Sequence, residues 1–254
     1  MNWERLEKKT ALITGASSGI GAATARRMAA AGARLILVAR RTDRVAALAK
    51  ELGNGAEAYG VDLRDRSAVE SLVKQIETPD IVVNNAGIAH GREPLDETNI
   101  EDIDAVFDTN VRGVFYLTHQ LIGAMRQRNS GHIIAVTSVA ALYPYKGAGA
   151  YAPSKAAIHM FCKCLRNDLG GTRVRVSEIA PAMVQNTEFT SKRFAGDTDR
   201  VSATYQGLDV LRAEDIAEAI LFAAAAPERV NVDLMEIFPV QQHQGPNVMH
   251  RNPA

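Results

Sequence analysis

The chain has 254 residues, 46% of them hydrophobic and 23% charged, a length and composition that suit one larger α/β domain with a core of its own, spanning residues 1–254. Lys+Arg and Asp+Glu both count 29, so the formal net charge is zero and no basic surplus exists to neutralise a nucleic-acid backbone. No stretch runs 18 residues without polar interruption, which argues against a membrane partner.

Met1 to Lys9 is charged where a signal peptide would need an apolar core, so a cytoplasmic location is expected. Thr10 to Thr14 is a short apolar run ending in Gly15, and Ala22 to Ala31 is an Ala-rich stretch of high helix propensity that Gly32 stops. With a second apolar run at Leu35 to Ala39, the first 40 residues read as a βαβ unit. Arg44 to Leu52 looks helical, Ala58 to Leu63 a strand, Ser67 to Ile76 a helix, and Ile81 to Val83 a buried strand running into Asn84-Asn85-Ala86-Gly87. A long helical region, Ile100 to Arg128, precedes a strand at Ile133 to Thr137, a helix at Ser154 to Leu169 and a strand at Val174 to Ile179. Cys162 and Cys164 point in different directions on that helix, so neither a disulfide framework nor a metal site is expected.

Two regions break the alternation. Pro181 to Gly207 is polar and irregular before a helix at Glu214 to Ala226, and an excursion after a strand's carboxyl end suits a substrate lid, taken as 181–212. A strand at Val232 to Glu236 leads to the tail, Gln241 to Ala254, which is either a frayed end or a docking arm. The alternation as a whole predicts a doubly wound, Rossmann-like parallel sheet with helices on both faces.

Gly15-Ala16-Ser17-Ser18-Gly19-Ile20-Gly21 lies between the first strand and the first helix, where glycines let the backbone approach a diphosphate and the helix N-terminus faces the phosphates. Its G-x-x-x-G-x-G spacing resembles the turn of the short-chain dehydrogenase/reductase family. Asn84 to Gly87, Asn110, Ser138 and Tyr151-Ala152-Pro153-Ser154-Lys155 match that family in the same order, so the resemblance covers essentially the whole chain.

Tyr151 and Lys155, four apart on a helix, project from one face, so an ammonium near the phenol would favour its ionised form. Tyr151 is then the acid/base of a carbonyl reduction, and Ser138 donates a hydrogen bond to the same oxygen. The resemblance further implies that Lys155 binds the nicotinamide ribose and that Asn110 holds a proton-relaying water. It also implies cofactor contacts at Ser17, Ser18, Ile20, Asn85, Ala86, Gly87, Pro181 and Val184, an adenine flanked by Asp62 and Leu63, and a carboxamide contact at Thr187. A sensor that only binds NADP(H) would need the Gly-rich turn but not the Ser138, Tyr151, Lys155 set. A hydrolase is disfavoured because no G-x-S-x-G elbow occurs.

After the second strand, Arg40 and Arg41 stand where an acidic residue would select NAD, so the 2′-phosphate of NADP(H) is the expected cofactor group. In the Pro181-to-Phe189 loop Ala182 replaces the family's usual glycine, which makes a positive φ strained there. The later segments Phe194 to Asp197, Val232 to Val240 and the tail resemble a branch containing NADP-dependent 3-hydroxy acid (serine and allo-threonine) dehydrogenases and reductases of small acidic aldehydes. That branch implies a small anionic substrate, carboxylate or sulfonate, for which Tyr145, Gln185, Asn186 and Arg251 are candidate contacts, Arg251 by reaching a neighbouring subunit of a homotetramer.

Overall fold

The computed structural model describes residues 6–185, 187–243 and 249–250. Among the described residues seven strands form one parallel sheet: β1 (Thr10–Thr14), β2 (Arg34–Ala39), β3 (Glu57–Gly60), β4 (Ile81–Asn84), β5 (Gly131–Val136), β6 (Val174–Pro181) and β7 (Leu234–Ile237), in spatial order β3-β2-β1-β4-β5-β6-β7. Nine α-helices accompany them among the described residues: α1 (Gly19–Ala30), α2 (Thr42–Leu52), α3 (Arg66–Gln75), α4 (Ile100–Phe107), α5 (Gly113–Gln127), α6 (Tyr151–Asp168), α7 (Glu188–Arg193), α8 (Thr198–Tyr205) and α9 (Ala213–Ala225).

Because a strand's side chains alternate faces, each apolar run feeds two cores. Ile13, Leu35, Leu37 and Val83 pack with Met28 of α1, Val45 of α2 and Ile220 of α9. Their neighbours Leu12, Ile36 and Val82 pack on the opposite side with Leu72 of α3, Leu117 of α5 and Ile158 of α6. The strand order reverses direction between β1 and β4, and in such sheets ligands bind beyond the carboxyl ends at that point.

Four expectations shift. The third strand stops at Gly60, so Asp62 and Leu63 lie in the loop beyond it. The long helix is interrupted at Asp108–Arg112 by a wider, π-type turn, which leaves Asn110 buried. Helix α6 begins at Tyr151, three residues before Ser154, because Pro153 falls in the first turn, where its missing N–H has no intrahelical partner to lose. The lid contains two short helices instead of irregular chain, and Asp197 caps α8 by accepting from Asp199 N and Arg200 N at 3.1 and 3.0 Å.

Candidate active site

Two loops meet at the switch point, and Thr14, the last residue of β1, ties them together. Its hydroxyl accepts from Asn85 N and Ala86 N, both at 3.0 Å, and donates to Val83 O at 3.3 Å, while Asn85 Nδ2 donates to Thr14 O at 2.8 Å. Gly15 turns the chain with a φ of +67°, and a Cβ on Gly21 would sit 2.4 Å from Gly15 O, so only glycine allows α1 to start this close to the strand. Ser18 precedes α1 without capping it, since its hydroxyl accepts from Arg41 Nη2 at 2.9 Å. The first-turn amides of α1 therefore point toward the cleft without a side-chain cap, an arrangement suited to phosphate oxygens.

The cleft encloses about 460 Å³ and runs from this turn past the ends of β4, β5 and β6 to the lid. At its inner end Ser138 is buried. Its Oγ accepts from Ala140 N at 3.1 Å and donates to Pro181 O at 3.3 Å. Lys155 is also buried, with Nζ donating to Val136 O at 2.9 Å and lying 5.9 Å from the Tyr151 ring centroid.

The balance on the phenol differs from the sequence expectation. Burial dominates and pushes Tyr151 above its ordinary value, and Tyr145 adds to that, while Ser138 and Arg193 pull the other way. Burial also pushes Lys155 down to about 8, against the opposing charge of Glu178. Desolvation thus opposes the ionisation expected from the spacing of Tyr151 and Lys155, and the phenol is held in its protonated form. Asn110 faces the loop after β4: its Oδ1 accepts from Ile88 N at 2.8 Å and its Nδ2 donates to Ile88 O at 2.9 Å and Ser154 Oγ at 3.0 Å.

The lid supplies two further side chains from consecutive turns of α7. Phe189 lies 5.4 Å from the Tyr151 ring, centroid to centroid, and the Arg193 guanidinium sits 5.6 Å from the Tyr151 centroid and 5.5 Å from that of Tyr145. Arg193 Nε donates to Gly91 O at 2.9 Å, whereas its Nη2 is buried without a hydrogen-bond partner among the described residues. Arg92 stacks on the other side of the same cluster, 5.0 Å from the Tyr145 centroid, and both burial and the charge of Arg193 push its basicity down. Two guanidinium groups thus converge on the Tyr145 ring, and one of them, Arg193, also lies beside the candidate acid.

Most of the expected site residues line this cleft: Gly15, Ser17, Ser18, Gly19 and Ile20; Arg40 and Arg41; Asp62 and Leu63; Asn85 to Gly87; Ser138, Tyr145, Tyr151 and Lys155; Pro181, Val184 and Thr187. Gly21 and Asn110 stand behind it as packing and clamping residues. Gln185 is not among the lining residues, and its backbone N donates to Leu211 O at 2.8 Å. Ala182 escapes strain because its φ is not positive. Asn186 and Arg251 lie outside the described residues. Arg92, Phe189 and Arg193 belong to no motif. The one signal for the last two was their spacing of four on a segment with an acidic start and a basic end, Glu188 to Arg193, which favours a helix turn.

The residues fit a pyridine dinucleotide carrying a 2′-phosphate: a glycine-tight turn at the head of α1, arginines at the end of β2, and a buried lysine at the inner end. Residues 9–198 match the family model for short chain dehydrogenase. The NADP-dependent 3-hydroxy acid dehydrogenase YdfG of Salmonella typhi is 40% identical over 245 residues, covering 95% of this chain and 99% of that one. Sulfoacetaldehyde reductase 2 of Chromohalobacter salexigens is 40% identical over 238 residues, covering 91% and 94%. The closed form of a serine dehydrogenase complexed with NADP+ superposes with a TM-score of 0.91 at 38% identity, covering 96% of this chain and all of that one.

Proposed function

Since the chain belongs to the short chain dehydrogenase family, we propose that it is an NADP(H)-dependent oxidoreductase interconverting a small anionic alcohol with its carbonyl form. A 3-hydroxy acid is the leading substrate class, and the sulfonated aldehyde reduced by the relative from Chromohalobacter salexigens is the alternative. The observation that carries the anionic class is Arg193. A guanidinium whose buried Nη2 has no hydrogen-bond partner among the described residues, set beside Tyr151 and joined by Arg92 at Tyr145, is costly unless an anion completes it.

When bound, NADPH supplies the hydride taken up by the carbonyl carbon. Tyr151, kept protonated by burial, gives its phenolic proton to the carbonyl oxygen, and Ser138 donates a hydrogen bond to that oxygen. Lys155 holds positive charge beneath the phenol and binds the ribose, Asn110 fixes the loop beside Lys155 and holds a relaying water, and Arg41 and Arg40 take the 2′-phosphate. Phe189 and the lid exclude water from the reacting atoms.

We read the protein in the cell as a cytoplasmic homotetramer, the compartment resting on the charged Met1 to Lys9 segment and the oligomer on the resemblance to the family branch. The oligomer is supported also by an exposed apolar patch on α5 and α6, where Phe115 and Met160 are 43% and 59% exposed. The test is a substrate panel of serine, 3-hydroxypropionate, 3-hydroxyisobutyrate, malonic semialdehyde and sulfoacetaldehyde, followed by NADPH absorbance. Turnover of at least one acidic member is expected, and turnover of none contradicts the assignment.

A further inference from the structure

Arg41 carries five N–H donors, and all of its nitrogens are engaged. Nη1 donates to Glu188 Oε1 and Oε2 at 3.0 and 2.7 Å, Nη2 to the Ser17 and Ser18 hydroxyls, both at 2.9 Å, and Nε to Ser17 Oγ at 3.2 Å. Glu188 comes from the lid, as the first residue of α7, 147 residues further along the chain. Its carboxylate also accepts from Arg44 Nη1 at 2.5 Å and pairs with Lys192 at 2.9 Å. One lid carboxylate is therefore gripped by three cations on the rim where a 2′-phosphate would dock.

We propose that Glu188 competes with the cofactor's 2′-phosphate for Arg41, so that binding of NADP(H), but not of NAD(H), breaks the Arg41–Glu188 pair and loosens the N-terminal end of α7, which Arg44 of α2 then holds alone across that seam. The inference rests on the NADP(H) reading above. A phosphate has two ways to reach Arg41. It takes the Nη1 donors and displaces Glu188, or it replaces the serine hydroxyls and lies beside an anion of like charge. Glu188 opposes it in both. Burial would raise the Glu188 carboxyl, yet hydrogen bonds from Lys192, Arg44 and Arg41 outweigh burial and bring it down to about 2, so the competing charge is present throughout the working range of pH. The fold makes this a lever. Glu188 and Arg193 are the two ends of one six-residue helix, so the same element that is held at the phosphate rim by its first residue reaches the substrate cluster with its last. Loosening the first end leaves α7 held by Arg44 at that end and tethered at Gly91 and Tyr151 at the other, able to settle over whatever lies in the cleft.

The test is calorimetric titration with 2′,5′-ADP, which carries the 2′-phosphate but no nicotinamide, and with ADP, on wild type, Glu188→Gln, Arg41→Ala and the double variant. Glu188→Gln is expected to bind 2′,5′-ADP about fivefold more tightly, as a charge-assisted competitor becomes a neutral one, with ADP affinity within about twofold of wild type. In the Arg41→Ala background the Glu188 substitution is expected to change nothing. Hydrogen exchange across 187–193 is expected to speed up in wild type with 2′,5′-ADP and not with ADP, and to be fast already in Glu188→Gln. Unchanged or weaker binding of 2′,5′-ADP by Glu188→Gln overturns the proposal, since Glu188 would then be an organiser of the arginines. Equal tightening toward ADP, an effect that survives without Arg41, or exchange indifferent to 2′,5′-ADP overturns it as well. A wild type that binds ADP as tightly as 2′,5′-ADP tells against the NADP(H) reading itself; the competition then stands if Glu188→Gln creates the preference and falls if it does not.

Discussion

At the scale of single residues, the proposed chemistry depends on Tyr151 being protonated and Lys155 being charged, and burial acts on the two in opposite senses. It stabilises the neutral phenol, which suits a proton donor, and it destabilises the ammonium, against which a backbone carbonyl at 2.9 Å and the charge of Glu178 offset part of the desolvation. Replacing Tyr151 by Phe keeps the ring against Phe189 and removes the proton, so turnover is expected to fall at least about 100-fold while fluorescence titration shows NADPH still bound. Near-normal turnover would remove Tyr151 as the acid. Because the Lys155 value is depressed, its charge is present below about 8 and lost as pH rises through it. The kcat/KM for carbonyl reduction is therefore expected to decline above pH of about 8, and a profile flat to the ordinary lysine range would contradict the role given to its charge. The spacing of Tyr151 and Lys155 was legible in the sequence as a shared helix face. The sign of the net shift was not, because burial depends on which residues from β5, β6 and the lid close over them.

At the scale of elements, the first βαβ unit was the most legible part of the chain, because strand, tight turn and helix all agree there. The turn leaves no room for a side chain: a Cβ at Gly21 would meet Gly15 O at 2.4 Å and Asn85 Nδ2 at 2.6 Å. Gly21→Ala is expected to push α1 away from β1 and weaken NADPH binding at least about tenfold, with circular dichroism reporting whether the fold is kept. A folded variant of unchanged affinity would show that this turn does not set the cofactor's approach. The elements that sequence periodicity did not resolve are the short ones. Helix α7 has six residues and α8 eight, too few for a 3.6-residue pattern to stand out, and the π turn at Asp108–Arg112 leaves no mark in a run that reads as continuous helix. Phe189 and Arg193, which line the cleft beside Tyr151, sit on one of those short helices, which is why the sequence singled out neither of them.

At the scale of the whole molecule, the cleft joins two charge-handling ends through one lid. Arginines after β2 line one end, and Arg193, with Arg92 at the Tyr145 ring, lines the end beside Tyr151, although the chain as a whole carries no net charge. The zero net charge argues against a nucleic-acid backbone as partner but hides the local clustering, which appears only when loops distant in sequence, around Gly91 and Arg193, are brought together. That clustering makes the central claim measurable. The kcat/KM of NADPH-dependent reduction is compared for malonic semialdehyde and for uncharged propanal, in wild type and in Arg193→Met. Wild type is expected to favour the acid, and the variant to lose about 10-fold to 100-fold on the acid, mostly through KM, with propanal little changed. Equal losses on both aldehydes, or a wild type that favours propanal, would contradict an oxidoreductase built around a small anionic substrate.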